Sequence, residues 1–141
     1  MILPDVNVLL YAFRKDLSNH SEYRDWLSEM VNGEAAYGIS PQVLAGVIRI
    51  ASHPRIFQQP SPAEEVTAFA SRLIDQPHCQ VIVPGSRHWN IFVNLCETAK
   101  ASSNLVQDAW FAALAIEWGC EWITIDRDFS RFPGLRWRAP F

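Results

Sequence analysis

Apolar residues along this chain recur with two alternating periods, and the alternation predicts strands interleaved with helices. Ile2-Leu3-Pro4-Asp5 is a short apolar run closed by a carboxylate, after which Val8, Leu9, Ala12 and Phe13 fall at helical spacing. A second helix is expected from about Ser18 to Val31, with Tyr23, Trp26, Leu27 and Met30 on one face and Asn32-Gly33 as its stop. Ala35 to Ile39 reads as a strand feeding Ser40-Pro41, where serine suits the N-cap and proline the first helical position, and that helix turns Val43, Leu44, Val47 and Ile48 inward. Ser61-Pro62-Ala63-Glu64 has the form of a capping box, opening a helix that carries Val66, Phe69, Ala70, Leu73 and Ile74. Gln80 to Val83 is expected as a strand, followed from about Ser86 by a helix that packs Trp89, Phe92, Leu95, Cys96 and Ala99. An alanine-rich helix over Asp108 to Trp118 stops at Gly119, Glu121 to Ile125 forms a strand, and Leu135 to Trp137 adds a short one.

Strands alternating with helices imply right-handed crossovers and a parallel sheet covered on both faces, with function at the carboxyl ends of the strands. Two aspartates stand there: Asp5 closes the first strand and Asp126 follows Trp122-Ile123-Thr124-Ile125. If those strands are neighbours, about 4.7–4.9 Å apart, the two carboxylates project side by side and repel unless they share a proton or hold a cation. Their hard oxygens suit Mg²⁺ or Mn²⁺. Asp108, placed at the expected start of a helix where the dipole favours negative charge, is the natural third ligand. Each aspartate also has a plain structural reading, as an N-cap, a helix-start charge or a turn residue. Jointly those readings weaken, because Pro4-Asp5 interrupts an apolar run and a buried charge there is costly without a partner.

Composition narrows the class. With 141 residues, 49% of them hydrophobic, the chain forms one core and a single domain over 1–141. Its longest apolar runs, such as Val8 to Ala12 and Ala112 to Ile116, fall far short of the roughly 20 residues a membrane span needs. No positive region precedes the apolar start, which argues against a secretory signal, and Cys79, Cys96 and Cys120 read as reduced thiols of a cytoplasmic protein. A net charge of −3 runs against a protein that grips phosphate backbones over a wide surface, although a carboxylate-rich metal site adds formal charge that a cation would offset. Positive charge gathers late, at Arg127, Arg131, Arg136 and Arg138. His20, His53, His78 and His88 show no metal-ligand spacing, and no Gly-x-Gly-x-x-Gly follows a strand.

Three segments together carry a resemblance that covers essentially the whole chain. Leu3-Pro4-Asp5-Val6-Asn7-Val8-Leu9, Asn104-Leu105-Val106-Gln107-Asp108-Ala109 and Thr124-Ile125-Asp126-Arg127-Asp128-Phe129 resemble the acidic motifs of PIN-domain nucleases, and more narrowly of VapC-type toxins. The resemblance implies a three-layer α/β/α fold with a mostly parallel central sheet of about four to five strands. It also implies a Mg²⁺ or Mn²⁺ site and endonucleolytic cleavage of RNA to 5′-phosphate and 3′-hydroxyl ends. Carried over, Asp5, Asp108 and Asp126 are the catalytic and metal-binding acids, with Asp126 either a ligand or the acceptor that orients water. Asn7 matches a small polar residue that helps hold the site. Asp128 either assists or pairs with Arg127 or Arg131, and the pairing is the expectation. The family's glutamate on the helix after the second strand is missing: Gly46 falls in its place, which leaves one metal or two open. Arg49, a turn along, could instead meet a scissile phosphate, as could Arg127 and Arg131. The implied partners are an RNA substrate, a cognate VapB-like antitoxin whose tail masks the site, and a second copy of the chain. Two rivals stand beside this reading. A phosphatase of the haloacid type would want an aspartate where Asn7 stands and leaves Asp108 unexplained. A PIN-fold binding protein, catalytically weakened at Gly46, would act through its partner alone.

Overall fold

The computed structural model describes residues 1–141. Its elements run β1 (Ile2–Pro4), α1 (Val6–Phe13), α2 (His20–Asn32), β2 (Tyr37–Ile39), α3 (Pro41–Ala51), α4 (Ala63–Ile74), β3 (Cys79–Val81), α5 (His88–Ala99), α6 (Asn104–Trp118), β4 (Glu121–Ile123) and β5 (Trp137–Arg138), with a 3₁₀ turn over Arg127–Arg131. All strand pairing is parallel. β4 lies between β1 and β5, with Leu3 opposite Trp122 and Trp122 opposite Trp137, while β2 pairs with β3. β2 runs beside β1 without a hydrogen-bonded ladder, so the five strands follow the spatial order β3-β2-β1-β4-β5 with a seam in the middle.

Successive strand residues point to opposite faces of a sheet. Leu3 and Pro4, Tyr37 to Ile39, and Trp122 and Ile123 are all buried in consecutive positions, so both faces of the sheet are covered, as in α/β/α folds. The helices supply that cover in two packed groups, α1 to α4 and α5 with α6. None is long and apolar enough to cross a membrane. Gly38 sits at the seam: a β-carbon there would meet Ile82 Cγ1 at 2.8 Å, so only glycine lets β2 close on its neighbours.

Three local expectations are corrected. Ser61 does not cap α4, whose N-cap is Pro62 without a side-chain bond; its hydroxyl accepts from Arg14 instead. Helix α6 begins at Asn104 rather than Asp108, because Leu105 packs on the core in the same stripe as Ala109 and Ala112. Trp89 is 62% exposed, since the buried side of α5 is set by His88 and Leu95.

Arg14, 6% exposed, ties the segment after α3 to the end of α1. Its guanidinium chelates Asp16 at 2.6 and 2.9 Å, donates to the carbonyls of Ala51 and Gln59 and to Ser61 Oγ, and stacks 3.6 Å above the Phe57 ring. Removing it strands the buried carbonyl of Ala51, unpairs the part-buried bonds to Gln59, Ser61 and Asp16, and removes the packing on Phe57. Arg14→Ala is therefore expected to lower unfolding stability by about 3 kcal/mol in urea titrations, with Arg14→Lys recovering only a minor part because a point charge cannot serve the fork.

Candidate active site

Asp5 leaves β1 at its carboxyl end, where its N–H donates to Ile123 O at 2.9 Å and so fixes the backbone to β4. Its side chain caps α1, with Oδ1 accepting from Val6 N at 2.6 Å. Oδ2 accepts from Thr124 Oγ1 at 2.6 Å and from Asn7 Nδ2 at 3.1 Å. The capping reading and the site reading are thus both realised in one residue. Burial pushes its carboxyl up to about 6 against these hydrogen bonds, and the neighbouring charge of Asp126 adds to the rise.

In the sequence Thr124 reads as an ordinary strand former. It is fully buried, and its hydroxyl donates to Asp5 while accepting from Asn7 Nδ2 and from Asp126 N, both at 3.1 Å. One hydroxyl therefore joins the first acidic segment to the last. A polar side chain at the end of the apolar run Trp122-Ile123 was the available signal, since a buried hydroxyl needs partners.

Asp126 follows two residues later and caps the 3₁₀ turn, its Oδ1 accepting from Asp128 N at 2.9 Å. Asp108 reaches the same place from the second turn of α6, beyond the stretch where the helix dipole acts strongly. Burial raises its carboxyl to about 6, with the charges of Asp126, Asp5 and Asp128 adding to that effect. Its environment thus resists ionisation, the reverse of what a helix-start position implies. Asp128 forms no ion pair with Arg127 or Arg131, contrary to the expected pairing. Instead Asp108, Asp126 and Asp128 each turn a carboxylate oxygen into a group within 4.8 Å of one another, and Asp5 stands beside this group, deeper in the protein.

Asp5, Asn7, Asp108 and Asp126 line one cavity of about 490 Å³. Helix α3 lines the same cavity with Gln42, Ala45, Gly46, Arg49 and Ile50 and contributes no carboxylate. Gly46 faces Val6, whose Cγ2 lies 3.0 Å from where a β-carbon would stand. The cavity's charged lining is consequently three acids from the sheet edge and α6 and one arginine from α3. Arg49 is exposed and its side chain makes no hydrogen bond or ion pair within the chain. Arg127 and Arg131 are likewise exposed and unpaired on the adjoining 3₁₀ turn, whereas Arg136 donates to Gly119 O and Arg138 pairs with Glu121. Three close carboxylates with no basic partner are the donor set of a hard divalent cation, and Mg²⁺ or Mn²⁺ fits it.

The PIN domain model matches residues 2–135. Ribonuclease VapC43 of Mycobacterium tuberculosis is 39% identical over 140 residues, spanning 99% of this chain and 95% of its own. Among solved structures, VapBC-1 from nontypeable Haemophilus influenzae superposes with a TM-score of 0.70 at 19% identity, covering 99% of this chain and 98% of its own. A toxin-antitoxin complex from Klebsiella pneumoniae superposes at 0.65 with 22% identity, covering 100% and 98%.

Proposed function

Because this chain belongs to the PIN-domain family and, within it, to the VapC ribonucleases, we propose that it is a metal-dependent endoribonuclease acting as the toxin of a toxin–antitoxin pair. The observation that carries this reading is the convergence of Asp5, Asp108 and Asp126, from three distant segments, on one cavity at the carboxyl edge of β1 and β4. Asp108 and Asp126 would hold the cation, with Asp128 and Asp5 completing the negative field around it. When bound, the cation supplies a lowered pKa for water and neutralises charge developing on the phosphate.

The chain's own residues do the rest. Asp5 cannot swing, because Val6, Asn7 and Thr124 hold both its oxygens. Thr124 also holds the Asp126 backbone, so the spacing of the acids is set before any ligand arrives. Arg49, which lines the same cavity as the acids, would receive a phosphate oxygen, and Arg127 and Arg131, exposed on the adjoining 3₁₀ turn, would meet the flanking backbone. Single-stranded RNA in the cytoplasm is the substrate class, and an antitoxin tail that presents a basic side chain to the acids would block them. A second copy of the chain is the expected assembly partner.

Thr124→Val keeps the shape of the strand and removes the shared hydroxyl. It is expected to weaken cation affinity or cleavage about ten- to a hundredfold, the usual weight of a group that orients a metal ligand, read by calorimetric titration of Mn²⁺ beside a cleavage assay. The biological reading is tested by inducing the chain alone in bacteria. Growth arrest that disappears with Asp108→Asn supports a toxin acting through this site; arrest unchanged by Asp108→Asn contradicts it.

A further inference from the structure

Next to the acidic cavity lies a smaller cleft of about 220 Å³ between α3, α5 and α6, lined by Gln42, Phe92, Val106, Gln107 and Trp110. Gln42 and Gln107 line both spaces, so the cleft adjoins the cavity that holds the carboxylates. We propose that this cleft is a nucleobase subsite, taking the unpaired base beside the scissile phosphate and reading a hydrogen-bond acceptor on its edge. The proposal rests on the ribonuclease reading and gives it a source of sequence preference.

The chemistry of the lining supports this assignment. Proteins read unpaired RNA bases by stacking them on aromatic rings and hydrogen-bonding their edges. Phe92 and Trp110 meet edge to face, with centroids 5.2 Å apart, and His88 braces Trp110 from behind through a 4.2 Å ring contact and a 3.0 Å hydrogen bond between its Nε2 and Trp110 O. An aromatic surface held in this way can receive a base without reordering. Gln42 supplies the reading group. Trp110 Nε1 donates to Gln42 Oε1 at 2.7 Å. Indole N–H is a donor only, so the amide cannot turn over, and Gln42 must present its NH₂. Neither that NH₂ nor the amide of Gln107 has a partner within the chain, and both residues are exposed. The cleft therefore offers a fixed donor, a second amide and an aromatic face within reach of the place where the phosphate would sit.

The test compares wild-type protein with Gln42→Ala, Trp110→Phe and Phe92→Ala on a random-sequence RNA pool in Mg²⁺, mapping every cut end and measuring kcat/KM on the preferred sequence. Wild type should show a base preference at one position flanking the cut. Gln42→Ala should flatten it; Trp110→Phe, which frees the amide to rotate, should broaden it. Phe92→Ala should lower kcat/KM about ten- to a hundredfold, the weight of one base–aromatic stack. Gln42 is exposed, so its variant tests the reading group without burdening the fold. Unchanged cut-site distributions in all three variants would overturn the subsite, as would a wild-type enzyme indifferent to flanking bases. A shift from dimer to monomer with the same cut sites would assign the cleft to self-association instead and equally overturn it. If wild type cuts no RNA at all, it is the ribonuclease reading that fails, and the subsite with it.

Discussion

Asp108→Asn is expected to lower RNA cleavage by on the order of a thousandfold while making the metal-free protein more stable, a combination that few structural lesions produce. The loss follows from the place of Asp108 in the group of three carboxylates within 4.8 Å, because a cation's stabilisation of phosphate charge is worth several kcal/mol. The gain follows from the same geometry. Burial and the charges of Asp126, Asp5 and Asp128 raise the Asp108 carboxyl to about 6, so at pH 7 the empty site carries a charge its surroundings disfavour. Asparagine keeps the shape and removes that charge. Thermal unfolding in EDTA should therefore show a higher midpoint for the variant. In saturating Mg²⁺ the order should reverse, since ligand at 100 times its Kd adds about 2.7 kcal/mol to wild type alone. Cleavage at the wild-type rate, or a metal-free variant less stable than wild type, would contradict this account of the site.

Metal-free protein is expected to lose stability as pH rises from about 4 to about 6, opposite to ordinary acid denaturation. Asp5 shows why. Its folded carboxyl titrates near 6 against an ordinary value of 3.8, so the folded state binds the proton more tightly than the unfolded chain does. Below about pH 4 both states are protonated and nothing is lost. Between 4 and 6 the unfolded state ionises first, and above 6 the folded state bears the full difference, about 3 kcal/mol at 1.36 kcal/mol for each pH unit. Asp108 acts in the same direction, with a weaker effect because it is less deeply buried than Asp5. Urea titrations in EDTA across this range, on wild type and on Asp5→Asn, isolate the contribution of Asp5 as their difference. That difference should grow in favour of the variant as pH rises, and Mg²⁺ at pH 7 should cancel much of it. A flat difference, or one of opposite sign, would mean that Asp5 is not held against ionisation.

Much of the fold could be read from periodicity, because strands and helices bury different spacings and the chain keeps them distinct. The acids at the ends of β1 and β4 stood out for a physical reason: a carboxylate that breaks an apolar run must be satisfied, and the end of a parallel strand is where a ligand can satisfy it. The harder features depend on contacts that spacing does not encode. Periodicity gave α5 its apolar stripe but not which residue lies at its rim, and Trp89 emerges into solvent. The helical pattern of α6 located its alanines but not its first turn, which put Asp108 at the dipole when it lies beyond it. Thr124 looked like any strand threonine, and only the approach of Asp5, Asn7 and Asp126 gives its hydroxyl a task. Asp128 looked paired with a neighbouring arginine, whereas the 3₁₀ turn directs it toward Asp108 and Asp126. In the sequence Gly46 stands where an acid is missing. Its packing against Val6 shows what stands there instead: a close approach of α3 to α1, leaving Arg49 as the charged group on that wall.

The most direct measurement is cleavage of total cellular RNA by the purified chain, freed of any bound antitoxin, in Mg²⁺, in Mn²⁺ and in EDTA, with an Asp5→Asn/Asp108→Asn double variant alongside and all product ends mapped. Cleavage that requires the cation, leaves 5′-phosphate and 3′-hydroxyl ends and vanishes in the double variant is the result this account predicts. Folded, metal-loaded protein that leaves every RNA class intact would contradict it, and would make the chain a PIN-fold binding protein that acts through its partner.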